Sequence, residues 1–206
     1  MAPSADSLHR DLEDARRRTL AVIEALTDDQ LRGGSHPIVN PLLWEVGHVG
    51  WFQERWASWH LRNDPPLRED AERLYNSSTV PFATRPFLPL PDRMETLAYV
   101  RAVLDRVEER LATRPLDEAA IYFHRLVTYH EDMHDEAFAL TLQVHGWEPP
   151  AAWRAVETSG AGPLSGFVPV PGGPFRPGAD PADERAFVFD NEKWAHPVEV
   201  QPFAIA

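Results

Sequence analysis

Apolar residues recur by threes and fours over most of the first 148 positions, and four amphipathic helices follow from that spacing. The first runs from Ser4 or Ser7 to Leu26 and carries Leu8, Leu12, Ala15, Thr19, Val22 and Leu26 along one face. Thr27 and Gln30 then have the spacing of a capping box for a short turn. The second starts at Asn40, whose side chain can take up free amides, with Pro41 at the first helical position, and runs to about Arg62. A third begins at Asp92 with Glu95 three residues on, carries Leu97, Val100, Val103, Leu104, Val107 and Leu111, and stops before Pro115. The fourth spans about Leu116 to His145 and ends at Gly146, suited to a left-handed cap.

Four helices of this length predict a bundle, whose interior can hold a metal on side chains from facing helices. The connection from Asn63 to Pro91 is longer than a minimal bundle needs, and connections of that length are usually functional or disordered. From Gly166 onward the pattern changes to short β-prone runs, FVPV, PGGPF, FVFDNE and HPVEVQPFAIA, separated by turn residues. The expected organisation is a helical bundle over 1–148, a Pro/Gly linker over 149–165, and over 166–206 the first part of a second domain. About 40 residues cannot bury a core alone, so these strands belong to a larger domain or pack on the bundle.

Composition narrows the chemistry. Of 20 prolines in 206 residues, half lie from Pro149 onward, which places the change of architecture there. There is no cysteine, so disulfides, thiolate metal sites and a cysteine nucleophile are excluded, and any transition metal must be held by histidine and carboxylate. The net charge of −12 with no extended basic stripe argues against a nucleic-acid partner. Arg16, Arg17 and Arg18 follow Asp11, Glu13 and Asp14 and read as a solvated face. No apolar run reaches membrane-spanning length and the N-terminus MAPSADSLHRDLEDARRR lacks a signal peptide's apolar stretch, so the expectation is a cytoplasmic protein with no membrane partner.

In YHEDMHDEA, His130 and His134 are four apart and stack on one helix face, shared with Phe123, Val127, Ala137 and Thr141. Such a pair chelates one metal or simply hydrogen-bonds within the core. On the second helix His48 shares a stripe with Trp44, Phe52, Arg55 and Trp59, so a third imidazole can reach the pair. Three neutral histidines suit Zn, Fe, Ni or Cu, and coordination positions left open would make the site catalytic. His130-Glu131-Asp132-Met133-His134 also satisfies H-E-x-x-H, the zinc-peptidase helix with Glu131 as general base, although Ala137 and Leu140 break the metzincin extension. Trp44, Trp51, Trp56 and Trp59 pack a core or line an aromatic pocket able to hold a quaternary ammonium.

The chain resembles the non-haem iron sulfoxide synthases of ergothioneine biosynthesis, with selenoneine synthase as a close branch. W-E-V-G-H-V-G-W-F at Trp44 to Phe52 is similar to that family's W-x-x-G-H-x-x-W-F segment, and His130, His134 and Glu136 reproduce its H-x-x-x-H-x-E signature. PGGPF at Pro171 to Phe175 and FDNEKWAHPVEV at Phe189 to Val200 are similar to the opening of its formylglycine-generating-enzyme-like domain. The resemblance implies a mainly α protein: a DinB-like four-helix bundle presenting His48, His130 and His134 to Fe(II), followed by the start of an α+β, C-type-lectin-like domain. It implies dioxygen-dependent joining of selenium or sulfur to the imidazole C2 of hercynine, with a selenosugar or cysteine-type thiol as donor. Glu136 would orient a histidine or a neighbouring helix. Arg85, Trp44, Phe52 and Met133 would meet substrate, and the catalytic tyrosine would lie beyond Ala206. The family's H-E-Q-Q-H is here H-E-D-M-H, with Asp132 and Met133; this helix and YNSSTVPFATRPFLPLPDR at Tyr75 to Arg93 look more like the selenoneine branch. The alternatives are a DinB-like thiol transferase or metal-dependent hydrolase, the zinc peptidase, and a non-catalytic metal-binding fragment.

Overall fold

The computed structural model describes residues 3–153, 165–183 and 187–205. The chain divides into two compact units, Met1–Arg154 and Ala155–Ala206. It is mainly helical with a small strand region near its C-terminal end, the expected class. Most of the expected linker, 154–164, lies outside the described residues.

In the first unit, α1 (Ala5–Ala25), α3 (Leu42–Gln53), α5 (Arg93–Thr113) and α6 (Glu118–His145) form the bundle, joined through the short α2 (Asp28–Arg32) and α4 (Ala71–Tyr75). Helix α1 packs on α6 and α5, and α3 packs on α5 and α6. The helix starts obey local chemistry: Ser4 with Ser7, Thr27 with Gln30 and Asp92 with Glu95 each form a reciprocal capping box. Asp117 caps α6, which ends at Gly146 with φ 67°, a left-handed turn that glycine adopts without steric cost.

Helix α3 departs from expectation at its start. Pro41 occupies the cap and no side chain caps the helix, because Asn40 is turned sideways, donating to Glu45 Oε1 at 2.8 Å and accepting from Arg85 at 3.1 Å. At its other end α3 continues as a π-helical stretch over Glu54–His60, a local widening frequent at functional sites. The long connection after it is folded structure: α4 buries Leu74 and Tyr75, and a 3-10 turn covers Phe82–Phe87. Tyr75 fits because Gly47 has no side chain; a Cβ there would lie 2.2 Å from the tyrosine ring. Gly50 likewise admits Val100, 2.7 Å from where its Cβ would sit.

The bundle core also contains charge. Arg16 is 2% exposed, and its Nε donates to Glu131 Oε1 at 2.7 Å. Its other nitrogens donate to Glu131 Oε2, Gln53 Oε1 and the Val100 carbonyl. One side chain from α1 therefore ties α6, α3 and α5 together. Thr19 Oγ1 lies 2.8 Å from Glu131 and 3.0 Å from Asp135. A hydroxyl donates one proton, and Asp135, pushed up to about 7 by burial and by Glu131, can supply the second. The Arg16-Arg17-Arg18 run is thus split: Arg17 pairs with Asp14 at the surface, Arg18 pairs with Asp14, Asp132 and Asp135, and Arg16 is core.

In the second unit β1 (Val168–Val170) pairs antiparallel with β4 (Phe203–Ile205), Val168 opposite Ile205. Nested inside, β2 (Gly173–Phe175) pairs antiparallel with β3 (Val198–Val200), Gly173 opposite Val200. The expected β run FVFDNE contains no strand; Asp190–Glu192 forms a 3-10 turn, closed by the Phe189 N–H donating to the Glu192 carboxylate at 2.8 Å.

Removing one partner of a buried, hydrogen-bonded ion pair strands the other charge, at a cost of about 3–5 kcal/mol. Arg16→Met is expected to lose that much stability in urea unfolding, and Arg16→Met with Glu131→Leu to regain most of it. A single-variant loss under about 1 kcal/mol would show that the pair is not fully desolvated.

Candidate metal centre

His48 projects from the middle of α3, and His130 and His134 from adjacent turns of α6. The three rings converge, inclined at about 60° to one another, with centroids 5.0 Å (His48–His130), 5.0 Å (His48–His134) and 4.6 Å (His130–His134) apart. One ring nitrogen from each falls within 4.8 Å of the others, and His48 Nε2 is 3.2 Å from His130 Nε2. Two imidazole nitrogens held about 2.0–2.1 Å from one ion are roughly 3 Å apart, so this spacing fits a shared cation.

Protonation supports the same conclusion. His48 Nδ1 lies 2.7 Å from the Tyr75 carbonyl, which only accepts, so the proton sits on Nδ1 and Nε2 presents a lone pair. Burial and the neighbouring His134 push His48 down to about 3 and hold His130 well below the ordinary histidine range. Phe52 lies flat on His130, centroids 3.6 Å apart at 6°, and Trp44 is stacked on His48 at 5.0 Å and 9°. These aromatic faces bury His48 and His130 and fix their ring planes. Neutral, converging imidazoles are the donor set of a divalent transition metal.

A model of the DinB superfamily matches residues 11–145, from within α1 to the end of α6. The chain belongs to the DinB superfamily. Three curated relatives match over nearly all of this DinB-type chain, each called "Hercynine oxygenase". The protein from Mycolicibacterium thermoresistibile is 34% identical over 209 residues, covering 98% of this chain and 46% of its own length. That from Mycolicibacterium smegmatis is 32% identical over 203 residues, with 97% and 47% covered. That from Mycobacterium tuberculosis is 32% identical over 208 residues, with 98% and 48% covered. The chain spans about half the length of these relatives.

Within this DinB bundle the other expected site residues separate. Phe52 is at the cluster. Trp44 is 1% exposed, its Nε1 donating to the Leu74 carbonyl at 2.8 Å, so it supports His48 and has no face for substrate. Arg85 lies over Trp44 at 3.9 Å and donates to Asn40 and the Val80 carbonyl; it borders the site with most donors committed. Met133 is 47% exposed. Glu136 is exposed as well, because two residues past His134 lie about 200° around the helix. The carboxylate that does reach a histidine is Glu45, whose Oε2 is 3.5 Å from His134 Nδ1. Sequence reasoning passed over Glu45, although it is the one charge inside the apolar run LLWEVGHVGWF.

Glu131 is 1% exposed and held by Arg16 and Thr19, so it cannot serve as a peptidase's general base. The four tryptophans form no single cage: Trp44 and Trp51 flank His48, Trp56 stacks on Phe123, and Trp59 is covered by the Arg55 guanidinium at 3.6 Å. A second grouping, His9 with Glu13 and Glu108, consists of partly exposed contacts at 3.5 Å, and such surface pairs contribute little.

The histidines give a pH signature. Unfolded histidine protonates near 6.5, so below that pH the unfolded chain binds protons that native His48 and His130 refuse. Their stabilising contribution is complete above about pH 6.5 and is lost as pH falls, by up to about 1.4 kcal/mol per unit for each. Asp135 works the other way, keeping a proton up to about pH 7 that the unfolded chain releases. Urea unfolding of the metal-free protein between pH 6.5 and 4.5 is therefore expected to show a loss that is shallower in His48→Gln by one group's slope. Equal slopes would mean that His48 is protonated in the native state.

Proposed function

We propose that this chain supplies the three-histidine Fe(II) site of a dioxygen-using enzyme that acts on hercynine and joins selenium or sulfur to its imidazole C2. The observation that carries the reading is the convergence of three imidazoles, with His48 Nε2 and His130 Nε2 3.2 Å apart and facing each other. The relatives' name, over the whole span of this chain, supports hercynine and dioxygen as substrates. Selenium rather than sulfur rests on the sequence resemblance of the H-E-D-M-H helix and of the Tyr75 to Arg93 stretch. The strands of the second unit are read as the opening of a formylglycine-generating-enzyme-like domain, from the PGGPF and FDNEKWAHPVEV motifs.

In this reading His48, His130 and His134 hold the metal as neutral ligands. Bound there, Fe(II) supplies one-electron chemistry toward dioxygen and leaves coordination positions open. The protein's own part is to hold the donor geometry and keep water out. Tyr75 fixes the His48 tautomer, Phe52 and Trp44 lock two ring planes, and Arg85 places positive charge beside the centre, suited to an anionic donor or carboxylate. Among the described residues Glu45 is the carboxylate that faces the three rings, so a divalent ion held there would keep net positive charge, suited to a thiolate or selenolate.

Anaerobic Fe(II) titration is expected to show one tight site per chain, lost in His134→Ala; unchanged affinity in that variant would refute the site. Dioxygen uptake by the loaded protein with hercynine and either a selenosugar or a cysteine-type thiol, with the product weighed by mass spectrometry, then tests the reaction. C2-substituted hercynine is the expected product. Thiol transfer independent of dioxygen would assign the chain to the DinB-type thiol transferases instead.

A further inference from the structure

Glu45 has a puzzling position. It is 4% exposed in a stretch of α3 that is otherwise apolar apart from His48, where a leucine would avoid the cost of burying a carboxylate. Its two oxygens are used differently. Oε1 accepts from Asn40 Nδ2 at 2.8 Å, and Oε2 faces His134 Nδ1 at 3.5 Å. Asn40 is not free to turn, because its Oδ1 accepts from Arg85 Nη1 at 3.1 Å. Arg85 in turn is held by the Val80 carbonyl and lies over the Trp44 ring, which is itself stacked on His48. The row Arg85–Asn40–Glu45–His134 is thus directional: each group's donor and acceptor roles are set by the one before it.

We propose that Glu45 is the positioning residue of the three-histidine centre, fixing the His134 proton on Nδ1 through a hydrogen-bond row that begins at Arg85. This rests on the metal-site reading above and adds to it the group that decides which His134 nitrogen offers its lone pair. A carboxylate can only accept, so a ring facing Glu45 must carry its proton on Nδ1 and leave Nε2 as the ligand atom. Such outer hydrogen bonds fix tautomer and ring orientation and raise ligand basicity. Arg85 has a second role here: it keeps the Asn40 amide oriented so that Glu45 receives a donor on one side and is left to accept from His134 on the other.

The row makes a sharp prediction for an isosteric change. In Glu45→Gln the new side chain has one oxygen and one NH2. Asn40, pinned by Arg85, still offers its NH2, so the glutamine oxygen turns to Asn40 and its NH2 turns to His134. His134 must then accept on Nδ1 and carry its proton on Nε2, the tautomer that blocks the ligand nitrogen. Removing the pin with Arg85→Leu lets Asn40 rotate, so the glutamine can turn its oxygen back to His134.

Long-range 15N–1H NMR on the metal-free chain reads the tautomer, and Co(II) titration against a chromophoric chelator reads the consequence. The parent protein is expected to show His134 protonated on Nδ1. Glu45→Gln is expected to show it on Nε2, with Co(II) affinity lower by roughly 10- to 100-fold. Glu45→Gln with Arg85→Leu is expected to recover the parent tautomer and part of the affinity. A merely structural Glu45, serving only the first turn of α3, would move stability and leave the tautomer alone. Nε2–H in the parent, or a parent-like tautomer with affinity within twofold in Glu45→Gln, overturns the proposal. If the parent fails to bind Co(II) at all, the metal-site reading falls separately, and the metal-free tautomers still decide the role of Glu45.

Discussion

The buried pair of Arg16 and Glu131 is the constraint on which the bundle's interior depends. Glu131 follows His130 by one residue, so its side chain leaves α6 about 100° from the histidine face. Turning the histidines toward α3 forces Glu131 into the seam against α1, where a carboxylate survives only with a full set of donors. Arg16 and Thr19 provide them. Arg16 spends its remaining hydrogen bonds on Gln53 and the Val100 carbonyl, so the rotation of α6 is fixed relative to α1, α3 and α5 together. Asp135 lies one turn later beside His134, bonded by Arg18 and within 3.0 Å of the Thr19 hydroxyl. The H-E-x-x-H pattern therefore divides its labour across two helix faces, with the imidazoles toward one cluster and the acids toward the polar seam that orients it.

A second constraint is close approach at α3. Gly47 and Gly50 flank His48 and admit Tyr75 and Val100 against the helix. The Tyr75 backbone thereby comes close enough for its carbonyl to accept a hydrogen bond from His48 Nδ1–H. Val100 contributes both apolar packing and the carbonyl that receives Arg16. Packing, tautomer choice and ion-pair geometry thus share residues, and a change in one is felt in the others because the interior is close-packed. Trp44, Phe52 and Trp51 complete the arrangement by surrounding the rings with aromatic faces. These aromatics hold the site's geometry and dryness and form no separate ligand cage.

The helices were legible in the sequence because their signals are local. The periodic apolar positions of α1 and α5 are buried or packed against the core where the spacing placed them, and the capping boxes are contiguous in sequence. The meeting of His48 with the α6 pair was legible too, since all three lie on the apolar stripes of long helices and such stripes must face one another. The expectation for Asn40 failed because a cap is a weak local interaction, of order 1 kcal/mol. Glu45 and Arg85, distant in sequence from each other or from the histidines they serve, claim that side chain instead. Glu136 is exposed and turned away from the histidines, because residue i+2 lies about 200° around a helix from residue i.

What the sequence determined by itself is therefore the bundle, its helix boundaries to within a few residues, the exclusion of cysteine ligands and nucleophiles from this chain, and the three imidazoles. What only the tertiary structure decided is which carboxylate serves which partner. Glu45 meets His134, Glu131 meets Arg16 across 115 positions of chain, and Glu136 is left in solvent. Helical periodicity is a property of neighbours three and four apart, whereas the pairing of buried charges is set by desolvation, which acts only once distant segments have closed around them.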